Sequence, residues 1–208
     1  MQTWESLYRD VSPYVSGCSE LELDHALLRA AQHFFSRTRV WTLWLDEINT
    51  SAGLMEYDLN LESKSELVRI ERATLNAQRL TIQAEGQLPD NWREYPNQAG
   101  VCQSIHTTDR KTVVLLPPPG DGLLLQIQAC LKPSNNAVGI ENRFYDQYAL
   151  AIATGAKSML MLQPGMPFSN PSEGLRLESE FNGKMAAISI QNARGFSSHR
   201  PRQRGRYF

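Results

Sequence analysis

Residues 111–133 read KTVVLLPPPGDGLLLQIQACLKP, and the class of the fold turns on them. Val113 to Leu116 is a short apolar run of strand formers. Pro117-Pro118-Pro119-Gly120-Asp121-Gly122 follows. Its prolines lack amide donors and its glycines tolerate positive φ, so the segment reads as a hairpin turn. Leu123, Leu125, Ile127, Ala129 and Leu131 then share one face of a strand, with Gln126 and Gln128 on the other. The stretch predicts antiparallel β structure with one face exposed to water.

Working back from it, the β texture begins at Val40. VWTLWLDEI (40–48) alternates, and Asn49 to Gly53 is turn-like. MEYDLNL, SELVRIERATL and RLTIQAEG read as further strands. Both ends of the chain have helical spacing instead. TWESLYRDV (3–11) predicts a short helix with Trp4, Leu7 and Val11 on one side, stopped by Ser12-Pro13. Ser19-Glu20-Leu21-Glu22 is a capping box opening a helix whose wide apolar face holds Leu23, Leu27, Ala30 and Phe34, joined by Leu28, Ala31 and Phe35, and which fades near Arg37-Thr38-Arg39. After Pro133, Tyr145, Tyr148, Ala149, Ile152, Ala156 and Met159 follow helical spacing until Gln163-Pro164-Gly165. Asn170, Pro171 and Glu173 cap a last helix with Leu177, Phe181, Met185 and Ile188 as its stripe and Gly195 as its stop.

The expected fold class is therefore α+β: a helical bundle (1–39 plus 133–193) interrupted by an inserted antiparallel β module (40–132), with an extended basic C-terminal arm (194–208). Helices before and after an insertion bury their wide apolar faces on one another.

With 208 residues, 41% of them apolar and 21% charged, the chain is long enough for a real core. The formal net charge of −1 hides an asymmetry: the last fifteen residues carry +5, leaving −6 on residues 1–193 (−1 minus +5). No apolar run reaches the roughly 20 residues of a membrane span. MQTWESLYRD lacks the basic patch and apolar run of a signal peptide. Cys18, Cys102 and Cys130 are odd in number and widely spaced, which predicts reduced thiols rather than a disulfide framework.

Catalytic chemistry finds little support. The sequence contains no phosphate-binding glycine loop, no dinucleotide fingerprint, no paired-histidine zinc motif and no nucleophile elbow. His25 and His33 lie eight residues apart, too far for ligands on adjacent turns, and no cysteine stands at ligand spacing. Cys18 and His25 make a poor dyad, because Asp24 cannot orient a histidine that follows it on one helix. Glu20, Glu22 and Asp24 suit the positive end of a helix dipole. Trp41 and Trp44 read as packing residues at a seam. No catalytic residue, metal ligand or cofactor is assigned.

The C-terminal RGFSSHRPRQRGRYF has no such bland account. Arg194, Arg200, Arg202, Arg204 and Arg206 are its fixed charges, with no lysine and no acid, which suits planar recognition of carboxylate or phosphate. Phe196, Tyr207 and Phe208 are bulky anchors where solubility disfavours them. The composition predicts an arm that folds only on a partner.

Three stretches resemble the head-to-tail adaptor (connector) proteins of short-tailed and related bacteriophages. They are Tyr14-Val15-Ser16-Gly17-Cys18 with Leu27 to Ala31 and Phe34 to Trp41; Leu131-Lys132-Pro133-Ser134 leading to Ala151 to Gly155; and Met161 to Pro171 with Phe181-Asn182-Gly183 and Arg194-Gly195-Phe196. Phe168 stands where that family commonly has tryptophan. The resemblance implies a non-enzymatic virion protein, made in the host cytoplasm, forming a ring of twelve copies under the portal. It implies that the arm docks on the portal protein, that the β module faces a downstream tail or nozzle protein, and that packaged DNA passes through the channel without specific binding. A mildly acidic body suits such a channel, because it does not grip phosphates. Two other classes stand beside this expectation: nucleic-acid binding by the arginine-rich arm, and a tail-associated cell-wall hydrolase.

Overall fold

The computed structural model describes residues 1–84, 101–107 and 109–195 and divides the chain into two units. One takes Met1–Val40 and the chain from Asn135 onward; the other is Trp41–Ser134. The second joint lies beyond the expected 132/133 for a physical reason. Pro133 still pairs with Ser65, and the Ser134 amide donates to the Lys64 carbonyl at 2.9 Å, so both belong to the β ladder.

The helical unit opens with a short strand, β1 (Gln2–Thr3), which pairs antiparallel with Gly139–Ile140. Instead of one helix over 3–11, the chain makes a 3-10 turn (Trp4–Leu7), a single α-turn, α1 (Tyr8–Val11), and a second 3-10 turn (Ser12–Tyr14). Long-range anchors override the local period here. The Trp4 indole donates to the Ala137 carbonyl at 2.8 Å, and Leu7 and Val11 are wholly buried.

Helix α2 (Glu20–Thr38) starts on the expected capping box: Ser19 Oγ accepts from the Glu22 amide at 3.3 Å, and Glu22 Oε2 accepts from the Ser19 amide at 2.9 Å. It ends at Arg39, whose φ of 55° closes the last turn. Helix α3 (Asn142–Met161) and helix α4 (Pro171–Ala193) complete the unit. Ring packing ties α2 to α3: Phe34 lies 5.1 Å from Tyr148 and Phe35 lies 5.0 Å from Phe144. Helix α3 departs from its one-faced expectation. Ala151, Ile152, Ala153, Thr154, Gly155 and Ala156 are all buried, because residues from α1, α2 and α4 all pack on it. Its buried hydroxyls bond within the helix, Thr154 to the Leu150 carbonyl and Ser158 to the Gly155 carbonyl, both at 2.8 Å.

In the other unit the strands are β2 (Thr42–Trp44), β3 (Ile48–Asn49), β4 (Glu56–Asp58), β5 (Ser65–Leu75), β6 (Gln78–Arg79), β7 (Thr81–Ile82), β8 (Ser104–His106), β9 (Thr112–Leu116) and β10 (Leu124–Pro133). They form two sheets. The five-stranded sheet runs β2-β10-β5-β6, with β3 also on β10; the four-stranded sheet runs β4-β9-β8-β7. Strand β10 keeps the expected buried face at Leu125, Ile127, Ala129 and Leu131, but Leu123 precedes the strand and is half-buried, and the other face is covered too: Gln126 and Gln128 are half-buried and Cys130 is wholly buried, beside register shifts at Gln128/Ala129 and Cys130/Leu131. The tight turn from β5 to β6 places Asn76 and Ala77 at φ 49° and 66°, the left-handed pair that matches strand twist.

The hairpin expected in residues 111–133 is not what forms. Strands β9 and β10 pair in different sheets, and the proline-glycine segment is a bridge between them. Three prolines in a row cannot donate to a ladder. The bridge is clasped instead by Thr50, whose hydroxyl donates to the Gly120 carbonyl at 2.8 Å and accepts from the Leu123 amide at 3.2 Å. The module is also not purely antiparallel: β7 pairs parallel with β8, which the long connection between Ile82 and Ser104 allows. Among the described residues, no helix is long and apolar enough to cross a membrane.

Candidate docking site at the end of α4

The expected arm follows α4 in the sequence, and α4 is held at both ends. At its start Asn170 Oδ1 accepts from the Glu173 amide at 3.3 Å, with Pro171 in the first turn. The expected capping box stays half-made, because the Glu173 carboxylate is taken by Arg176 at 2.6 and 2.9 Å. Arg176 also reaches Glu180 at 3.2 Å, and Glu180 reaches Lys184 at 2.7 Å. This relay runs along one flank of α4. Hydrogen bonding to Arg176 holds the Glu173 carboxyl below its ordinary range, and bonding to Lys184 does the same for Glu180.

At the other end the Arg194 amide donates to the Ile190 carbonyl at 3.1 Å. Gly195 follows with φ 62°, and its amide donates to the Asn192 carbonyl at 2.9 Å, so it is the stop that its place in the sequence suggested. The Asn192 side-chain amide donates to the carbonyls of Thr38 at 3.2 Å and Arg39 at 2.9 Å. It thereby satisfies carbonyls at the end of α2 and fastens the two helix ends together. Nothing in the sequence marked Asn192, because an asparagine in a last helical turn looks like ordinary surface. A groove of about 480 Å³ opens beside it, lined by Val40, Arg143, Phe144, Gln147, Tyr148 and Asn192. The Arg143 guanidinium lies 4.5 Å over the Phe144 ring and bonds Glu141 at 2.8 Å.

Of the expected arm residues, Arg194 is the exposed C-cap of α4. Phe196, Arg200, Arg202, Arg204, Arg206, Tyr207 and Phe208 lie outside the described residues.

The remaining reactive groups are placed as follows. Burial pushes the Cys18 thiol up to about 11, helped by Glu22, and burial pushes Cys102 up to about 11. Both are poor nucleophiles at neutral pH. His25 is exposed, with its Nε2 at 3.5 Å from Arg29 Nε; His33 meets Phe181 edge-on at 5.8 Å; His106 is buried on β8. Burial, followed by the Arg37 charge, lowers the His33 pKa. Trp41 is buried and donates to Glu62 at 3.2 Å, whereas Trp44, expected in packing, is 50% exposed. Among the described residues, no group of three His, Cys, Asp or Glu side chains could hold a metal ion.

Compared with known protein families and curated proteins, the chain matches neither a family model nor any curated sequence.

Proposed function

We propose that the chain is a head-to-tail adaptor of a short-tailed bacteriophage: a structural virion protein whose copies form a ring that docks on the portal and joins capsid to tail around the DNA channel. The observation that carries this reading is the order of parts. Helices from before and after an inserted β unit pack on one another and end in α4, whose last turn is fastened to α2 and passes the chain into a run with five arginines, counting Arg194, and no acid. A fastened base gives an arm a defined origin. The thirteen residues after Gly195 reach at most about 45 Å when extended, enough to cross onto a neighbouring protein. Arginines then pair with acidic groups of the portal, and Tyr207 and Phe208 fill apolar pockets. A ring multiplies weak arms into a lasting joint. The acidic remainder of the chain leaves the DNA free to slide.

The test is removal of residues 196–208, which leaves the Gly195 stop in place. The shortened chain is expected to stay folded by circular dichroism and to lose co-sedimentation with its portal ring. Undiminished joining to portal rings overturns the docking role. Binding of the full chain to short duplex DNA with a steep salt slope favours the nucleic-acid alternative instead, and lysis of purified peptidoglycan favours the hydrolase.

A further inference from the structure

Strand β2 lies at the end of its sheet and pairs only with β10 among the described residues. The Leu45 amide donates to the Ile127 carbonyl at 2.9 Å, the Leu131 amide donates to the Trp41 carbonyl at 2.8 Å, and Trp44 stands opposite Gln128. Residues 41, 43 and 45 therefore turn their backbone toward β10, and Trp44 turns its amide and carbonyl the other way. Among the described residues those two groups have no partner. The Trp44 indole beside them is exposed. A groove of about 170 Å³ opens there between residues 43–46 and 60–62, with Asp46 and Glu62 in its lining. Asp46 accepts from Asn60 and Glu62 accepts from Trp41, but neither carboxylate, nor that of neighbouring Glu47, is in an ion pair among the described residues. An open strand edge of this kind is a template for another strand.

The chain itself carries a strand of complementary charge. In Arg200-Pro201-Arg202-Gln203-Arg204-Gly205-Arg206 arginine returns at every second position. An extended backbone sets such residues on one face, about 7 Å apart. Its amides and carbonyls alternate with the same period, so those of the arginines face one side and Pro201, which has no amide, falls on the other. The register that turns Pro201 away from β2 pairs Trp44 with an arginine. Directly paired residues point to the same face of a sheet, so that guanidinium lies against the Trp44 indole, with the carboxylates of the groove beside it.

We propose that residues 200–206 of one copy of the chain add as a strand to the open edge of β2 in a second copy, with their arginines over Trp44, Asp46 and Glu62. Backbone bonds at Trp44 supply the register, and arginine against indole and carboxylate supplies the choice of strand. Arm and edge are different surfaces, so the contact is heterologous and links copies head to tail, the arrangement from which rings and open filaments are built. One short strand is a small footprint, and its charge pairs are screened by salt, so the contact is weak and concentration-dependent. It concerns the free chain and does not rest on the adaptor reading; an arm taken up by a portal is no longer available to a second copy.

Sedimentation of the full chain without portal, from about 10 µM to about 1 mM in about 50 mM salt, is expected to show monomers passing into dimers and larger species, and about 500 mM salt is expected to reverse this. Asp46→Lys, at an exposed site, spoils the edge and leaves the arm. Arg202→Ser with Arg204→Ser spoils the arm and leaves the edge. Each chain is expected to associate at least tenfold more weakly than the original, with an unchanged circular dichroism spectrum. Mixed, the two are expected to form one-to-one dimers that grow no further, because one supplies a sound arm and the other a sound edge. Gln203→Pro, on the outward side of the added strand, is expected to associate as the original does. A constant monomer mass overturns the proposal, and a shift of its tryptophan fluorescence on removing residues 196–208 would assign the edge to the chain's own arm. Undiminished association of Asp46→Lys, a mixture that stays monomeric, or loss of association in Gln203→Pro also overturns it. None of these results bears on whether the arm docks on a portal.

Discussion

Replacing Gly155 by alanine tests the packing that holds α3 against α4. The added methyl would stand 2.7 Å from two ring carbons of Phe181, which is 2% exposed. An ordinary carbon–carbon contact is about 3.5 Å, so the ring or the helix must give by about 0.8 Å in a packed core. Overpacking of this kind costs about 1–3 kcal/mol, and alanine returns about 1 kcal/mol of helix propensity. The net expectation is a loss of up to about 2 kcal/mol, read as a lower urea midpoint by far-UV circular dichroism. The same clash predicts rescue. Phe181→Leu alone is destabilising, but the double variant should lose less than the sum of the singles by about 1 kcal/mol, since the smaller side chain vacates the space the methyl needs. Gly155→Ala at or above the original stability, or strictly additive single and double variants, would refute the close-packing argument.

Three further outcomes follow from the geometry. Thr50→Ala removes both clasps on the bridge between the two sheets from a residue only 2% exposed, and should cost about 1–3 kcal/mol by denaturation, whereas Thr50→Ser should recover most of it. The folded pKa of His33 is depressed, so its contribution to stability is present above the unfolded value of about 6.5 and is lost as pH falls; its NMR titration midpoint should lie below that value, and a midpoint above it would contradict the placement among Phe181, Arg37 and Glu178. Alkylation of Cys18 should accelerate with pH toward about 11, since burial and Glu22 favour its neutral thiol; a plateau near neutral pH would show a thiolate that this environment does not support.

Much of the local architecture was legible because it depends on neighbours in the chain. Ser19 and Glu22 close a box three residues wide, Gly195 stops a helix through its own φ, and the alternation from Leu125 to Leu131 sorts itself onto two faces. Where contacts come from far along the chain, the same rules failed. The period over 3–11 predicted one helix, but the Trp4 indole bonds the Ala137 carbonyl and the segment breaks into short turns. The spacing in α3 showed one apolar face, whereas the helix is covered on most sides. The arm was the main functional signal of the sequence, yet the groove beside its base depends on Asn192 meeting Thr38 and Arg39, a contact across about 150 residues that no local pattern encodes.

By itself the sequence determined the class of the described segments: helix at both ends and strand between. Those outcomes rest on hydrophobic period, capping and charge, which act over a few residues. Only the tertiary structure decided that the prolines of residues 117–119 join two sheets rather than close one hairpin. It alone showed that a Cβ on Gly155 would meet the Phe181 ring and one on Gly174 would meet Leu162, while one on Gly183 meets nothing within 4 Å among the described residues. Strand partners and the space around a glycine are set by which distant surfaces meet, and a chain read residue by residue holds no record of that meeting.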